Sequence, residues 1–153
     1  MNNNKTYFAE VAGDWDEIRS GYFTEGMRDA AIALANLNQD SIVADIGTGT
    51  GFVIQGLADK VANVYGFDPS AEMLDVAAQN LAAFDNIKLE QAPGHNLPLA
   101  DEAVDAVFGN MYLHHDSDPA VAIVELARIL KTGGKLVLTD LDAHEEAWMH
   151  EEM

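Results

Sequence analysis

The sequence predicts an α/β fold in which a parallel sheet is flanked by helices. Three observations carry this prediction. Short β-branched runs alternate with segments of helical length, a glycine-rich loop joins an apolar strand to a helix, and an acid closes the strand that follows. No segment repeats and no Pro/Gly/Ser linker divides the 153 residues, so 1–153 reads as one unit. It comprises a helical cap (1–40), a sheet with its helices (41–142) and an acidic helical tail (143–153).

Taken in order, the first 40 residues are amphipathic, with Trp15, Ile18, Tyr22 and Phe23 followed by the Ala- and Leu-rich stretch Met27 to Leu37. Strands are expected at Ser41–Ile46, Val64–Phe67, Ile87–Glu90, Val104–Phe108 and Lys135–Leu141. Helices are expected between them at Phe52–Lys60, Ala71–Phe84 and Pro119–Lys131. The last is punctuated by Asp118 as N-cap, Pro119 at the first helical position and Gly133-Gly134 just past its end.

Composition narrows the function. With 26 acidic residues against 8 basic ones the formal charge is −18, which repels phosphate backbones and makes nucleic acids and anionic membranes poor partners. There is no cysteine, so disulfides, thiolate metal sites and cysteine nucleophiles are excluded. The polar start lacks the basic end and apolar stretch of a secretory signal, and no apolar run reaches the roughly 20 residues of a membrane helix. A cytoplasmic location is expected.

The segment from Val43 to Phe52 reads D-x-G-x-G-x-G from Asp45 through Gly47 and Gly49 to Gly51. Alternate glycines let the backbone turn tightly and bring its N–H groups within reach of a ligand that a Cβ would exclude. A dinucleotide fingerprint needs G-x-G-x-x-G, yet Phe52 stands where the third glycine belongs, and Asp45 would repel a diphosphate. Asp68 lies 21 residues beyond Gly47, a usual distance for an acid that grips ribose hydroxyls. An adenosine with a positively charged amino-acid tail satisfies both acids, and S-adenosylmethionine is such a molecule.

On these residues the sequence resembles the class I S-adenosylmethionine-dependent methyltransferases over roughly residues 5–150. The matching features are the loop Asp45–Gly51, Asp68 at the head of Asp68–Leu74, the segment Asn96–Leu99, and the helix-to-strand phrase Leu130–Leu138. The opening Phe8–Asp16 is similar to the small-molecule branch with quinone-type and arsenite-type members. The missing cysteines count against an arsenic acceptor held by protein thiolates.

The resemblance implies a Rossmann-like doubly wound sheet of at least five parallel strands in the order 3-2-1-4-5. It implies that Asp45, Gly47 and Gly49 hold the methionine end, with Thr48 and Gly51 of the same loop also cofactor-binding, and that Asp68 takes the ribose. Pro69 and Met73 would pack on the adenine face, Gly94 and His95 would line its edge, and Asn110 would face the methionine tail. Many members accept the adenine amino group on an Asp where this chain has Pro93; Gly94 can still offer its N–H to the ring.

His114, His115, Tyr112, Asp140 and Asp142 fall on the acceptor side, and His114, His115 and Asp140 are the candidate catalytic groups. No metal site is expected; Glu146 and His150, four apart, read as one face of a solvated acidic helix. The expected activity is methyl transfer to a small-molecule acceptor. The alternative is a module that binds S-adenosylmethionine or its demethylated product without turnover. The family usually adds two strands after the fifth, and only twelve residues follow Leu141 here. Strand five is thus expected as an open edge, left by truncation or covered by a partner subunit in a homodimer.

Overall fold

The computed structural model describes residues 12–14, 17, 20, 23–110 and 118–139. Five strands alternate with helices: β1 (Ile42–Ile46), β2 (Asn63–Asp68), β3 (Ile87–Gln91), β4 (Val104–Asn110) and β5 (Leu130–Thr139). All pair in parallel, in the order β3-β2-β1-β4-β5. This is the expected order. The helices are α1 (Glu25–Leu34), α2 (Phe52–Leu57), α3 (Ala71–Asn80) and α4 (Pro119–Ile129), preceded by a 3-10 turn at Ala12–Asp14.

Each face of the sheet has its own core. Val43, Val64, Ala106, Phe108 and Val137 pack with Ile32, Ile54, Leu57 and Leu81 from α1, α2 and the end of α3. Ala44, Ile46, Phe67 and Val107 pack with Ala122, Leu126 and Ile129 of α4 and with Leu97. Alternate residues of β1 and β2 thus enter opposite cores, the period-2 consequence of the pleat. Burying each of the Val, Leu, Ile and Phe side chains among these contributes about 1.5–3 kcal/mol. With both faces covered, the central strands read as near-continuous apolar runs.

The N-terminal segment is more than a cap where it is described. Phe23 is buried, meets Phe52 edge-on with ring centroids 5.7 Å apart, and joins Ala31, Ile32 and Ala35 in the first core. Arg28 lies over the Phe52 ring, its guanidinium carbon 4.6 Å from the ring centre. Trp15, Ile18 and Tyr22 fall outside the described residues.

The largest departure from expectation is at β5. The helix ends at Ile129, Leu130 turns extended, and pairing with β4 begins at once, Leu130 opposite Val104. The register then shifts, and the next pair is Lys135 with Ala106. Residues Lys131–Gly134 form an excursion between those two pairs. The Gly133-Gly134 pair is therefore inside the strand rather than just past the helix. Gly133 takes a φ of +83°, and a Cβ on Gly134 would lie 2.7 Å from the Asp105 carbonyl oxygen. Both conditions select glycine. The expected strand end at Leu141 and the tail 143–153 lie outside the described residues.

Candidate functional site

The C-terminal ends of the strands converge on one rim, where open α/β sheets bind their ligands. Asp45 is the penultimate residue of β1 and Asp68 the last of β2. They share the parity of Val43 and Val64, so both carboxylates project to the same face. Asp45 is paired in register with Gly66, where a Cβ would approach Ile54 Cδ1 and Leu89 Cδ2 to 2.7 Å and Thr48 Oγ1 to 3.3 Å. The bare backbone at Gly66 makes room for those side chains beside Asp45.

The glycine loop is folded by its own amides, which corrects the expectation that those amides face a ligand. Gly47 and Thr48 both donate to the Phe67 carbonyl, at 2.8 and 2.9 Å, and Gly51 donates to the Thr48 carbonyl at 2.9 Å. Gly49 donates to Asp68 Oδ2 at 2.9 Å. With these N–H groups spent inside the protein, the loop is no anion nest. What it offers is a backbone with positive φ at Gly47, Gly49 and Gly51, half-buried at Gly47 and Gly49, beside two carboxylates. Gly51 has a packing reason of its own: a Cβ there would lie 2.7 Å from Leu81 Cδ1.

The two acids are held differently. Asp45 is 1% exposed; Thr48 Oγ1 donates to its Oδ2 at 2.6 Å, and Oδ1 has no hydrogen-bond partner among the described residues. Burial pushes its carboxyl up to about 7, against the Thr48 hydrogen bond and with a smaller push from the Asp68 charge. Asp68 accepts the Ser70 amide on Oδ1 at 2.9 Å and the Gly49 amide on Oδ2. Burial raises it to about 6, the two amides working against the rise. An orphaned buried carboxylate is costly unless a donor or cation meets it. This is the chemistry of a site for a cationic group.

The helix that follows is capped by Ser70, whose Oγ accepts the Met73 amide at 3.2 Å, so Asp68 is free of that duty. Met73 is 2% exposed, and Pro69 is exposed with its carbonyl held by Gln91 Nε2 at 2.9 Å. Beyond β3, Gly94 is buried and His95 exposed on a turn closed by the Asn96 amide donating to the Pro93 carbonyl at 3.2 Å. Asn110 ends β4, half-buried, and accepts the Thr139 hydroxyl. His114, His115 and Asp140, with Tyr112 and Asp142, lie outside the described residues.

Sequence reasoning missed Gly66, Ser70, Thr139 and the pair Glu125 and Arg128. Ser70 two residues after Asp68 and three before Met73 was a readable cap signal. Glu125 and Arg128 are the only charged residues of α4, three apart, a polar pair on an otherwise apolar helix. No signal marked Thr139.

Among the described residues no group of His, Cys, Asp or Glu could hold a metal ion, and no helix is long and apolar enough to cross a membrane.

Comparison with known proteins supplies the family. A model described as a methyltransferase domain matches residues 44–138, more than half of the chain. The chain is 34% identical over 147 residues to a demethylmenaquinone methyltransferase of Clavibacter sepedonicus, covering 86% of this chain and 58% of that one. It is 29% identical over 144 residues to a malonyl-[acyl-carrier protein] O-methyltransferase of a Marinomonas strain, covering 89% and 53%. A SAM-dependent methyltransferase structure from Aquifex aeolicus superposes with a TM-score of 0.78 at 25% identity, over 90% of this chain and 75% of that one. The chain spans about half the length of the curated relatives it matches. The matched span runs from the heart of β1 almost to the end of β5 and so includes both acids, the glycine loop and every strand of the sheet: the chain belongs to the class I S-adenosylmethionine-dependent methyltransferase family.

Proposed function

We propose that this chain carries a methyltransferase that moves the methyl group of S-adenosylmethionine to a small-molecule acceptor by in-line displacement. The observation that carries the reading is Asp45, a carboxylate buried at the tip of β1 with one oxygen unpartnered, next to a second buried carboxylate at the tip of β2. The α-ammonium of the methionine moiety supplies the donor Asp45 lacks, directly or through a water. Asp68, whose oxygens each accept one amide, keeps further lone pairs for ribose hydroxyls.

S-adenosylmethionine, when bound, supplies an electrophilic methyl on a sulfonium; the S–C electron pair returns to sulfur as the acceptor attacks. The residues of this chain bind, orient and exclude water. The spent amides of the loop keep the rim free of donors that would favour a phosphate. Asn110 presents its carboxamide toward the methionine tail, and Pro69, Met73, Gly94 and His95 bound the adenine. His114, His115 and Asp140 remain the candidates to take the acceptor's proton where it is not lost spontaneously. Alignment supplies most of the acceleration.

The acceptor is a small molecule, in keeping with the demethylmenaquinone in the name of one relative. We place the protein in the cytoplasm. The β5 edge, unpaired beyond β4 among the described residues, and the exposed Val121 and Val124 of the adjoining α4 support a homodimer. Isothermal titration with S-adenosylmethionine, S-adenosylhomocysteine and NAD tests the reading. Micromolar binding of the first two and none of the third is expected, and binding of NAD alone overturns it.

A further inference from the structure

The segment that joins β3 to β4 carries Gly94 and His95, and it is anchored at both ends. At its start the Ala92 amide donates to the Asp68 carbonyl at 3.1 Å, tying it to the second acid's own backbone. At its far end Arg128 of α4 grips it. Nη1 donates to the Leu99 carbonyl at 2.8 Å and to Asp101 Oδ1 at 2.9 Å, and Nη2 donates to the Leu97 carbonyl at 3.2 Å. Nε and Nη2 also bond Glu125 Oε1 and Oε2, at 2.6 and 2.9 Å, and Glu125 Oε2 accepts the Leu97 amide at 2.7 Å. Between the anchors hangs the Pro93–Asn96 turn.

We infer that the Arg128–Glu125 pair positions the adenine-side wall of the nucleoside site and thereby sets its base selectivity. The inference rests on the S-adenosylmethionine reading given above. This chain has Pro93, a residue with neither a side-chain donor nor an N–H, at the start of that turn. Base recognition is thus left to the backbone of Gly94, and a backbone donor is aimed only by fixing the loop that carries it.

The pair is built for that task. An exposed ion pair contributes little by itself. Here the Glu125 side chain is 14% exposed and that of Arg128 32%, and together they bond two carbonyls, one amide and one carboxylate of a single loop. The Arg128 hydrogen bonds, foremost, hold the Glu125 carboxyl below the usual carboxylate range against its partial burial, with the Leu97 amide and the nearby His95 also favouring the charged form. A planar fork with five N–H donors can make these contacts at once, whereas an ammonium cannot. Arg128 is a positioning residue, acting through the Leu97–Asp101 stretch on Gly94.

The test measures affinity for two nucleosides that differ in the base edge alone, S-adenosylhomocysteine and S-inosylhomocysteine. The full chain and its Arg128→Lys, Arg128→Gln and Glu125→Gln variants are titrated well below their melting temperatures. Glu125→Gln keeps a carbonyl oxygen for the Leu97 amide and is the mildest change. The wild type is expected to prefer the adenosyl compound. Each Arg128 variant should lose about five- to tenfold for it, the equivalent of one aimed hydrogen bond, while the inosyl compound shifts less than about twofold. Amide exchange of Gly94–Leu97 and Leu99 should quicken with that of the Gly47–Gly51 loop unchanged. Equal losses for both nucleosides, or preserved selectivity, overturn the inference. A wild type that binds both equally also overturns it while the methyltransferase reading stands; a wild type that binds neither removes both.

Discussion

Thr139 at the end of β5 donates its hydroxyl to Asn110 Oδ1 at the end of β4, 2.5 Å away across the register pair that closes the two strands. The bond uses the carbonyl side of the carboxamide, so the NH2 group is the side left to face a ligand. If Asn110 meets the carboxylate of the methionine tail, this orientation supplies the donor it needs. Thr139→Val is expected to weaken binding of S-adenosylhomocysteine about five- to tenfold and leave 5′-methylthioadenosine, which lacks the amino-acid tail, unaffected. Calorimetry on both ligands checks it.

Asp45 sets ligand binding against stability. Asp45→Asn removes a buried charge with an unpartnered oxygen while its carbonyl still accepts the Thr48 hydroxyl. At pH 8 the variant should be about 1–2 kcal/mol more stable than the wild type without ligand. It should bind S-adenosylmethionine at least about tenfold more weakly. Chemical denaturation and titration on the same preparations test both signs.

The pH dependence follows from the same burial. Asp45 is raised to about 7 and Asp68 to about 6, from 3.8 when exposed, so the folded chain binds protons the unfolded chain has released. Their contribution to stability is fully present below about pH 4 and is lost as pH rises through 6 to 7. Affinity for the cationic ligand moves the opposite way. It should fall roughly tenfold per pH unit below about pH 7 for Asp45, and by a further factor of the same size below about pH 6 where Asp68 must also release a proton on binding. Titration in buffers of different ionisation enthalpy should show proton release near pH 6, diminished in Asp45→Asn.

Gly51 is a packing position. Gly51→Ala puts a methyl 2.7 Å from Leu81 Cδ1 at a φ of +90°, and should destabilise the chain by about 1–3 kcal/mol. Adding Leu81→Ala relieves the clash but not the backbone strain. The double variant should therefore lose less stability than the sum of the two single losses, while staying less stable than Leu81→Ala alone, a coupling that thermal unfolding of the cycle reads directly.

The alternation of strands and helices and the two acids were legible because they are written in local patterns: the β-branched runs, the D-x-G-x-G-x-G loop and the distance to Asp68; the strand order came only with the family resemblance. What the glycine loop does with its amides was not, because the partners of Gly47 and Thr48 are a carbonyl on β2, twenty residues away in sequence. The start of β5 was misplaced for a related reason. Gly133-Gly134 carries the punctuation of a helix end, and only the crowding of Gly134 against the Asp105 carbonyl makes it a strand feature. Arg128 escaped notice since its loop partners lie about thirty residues upstream.

The excursion at Lys131–Gly134 also says something about how the sheet tolerates change. It takes up slack at the rim remote from the ligand, so a residue gained or dropped there alters the length of the excursion without sliding the paired stretch from Lys135 to Thr139 along β4. One rim can drift while the opposite one keeps its alignment.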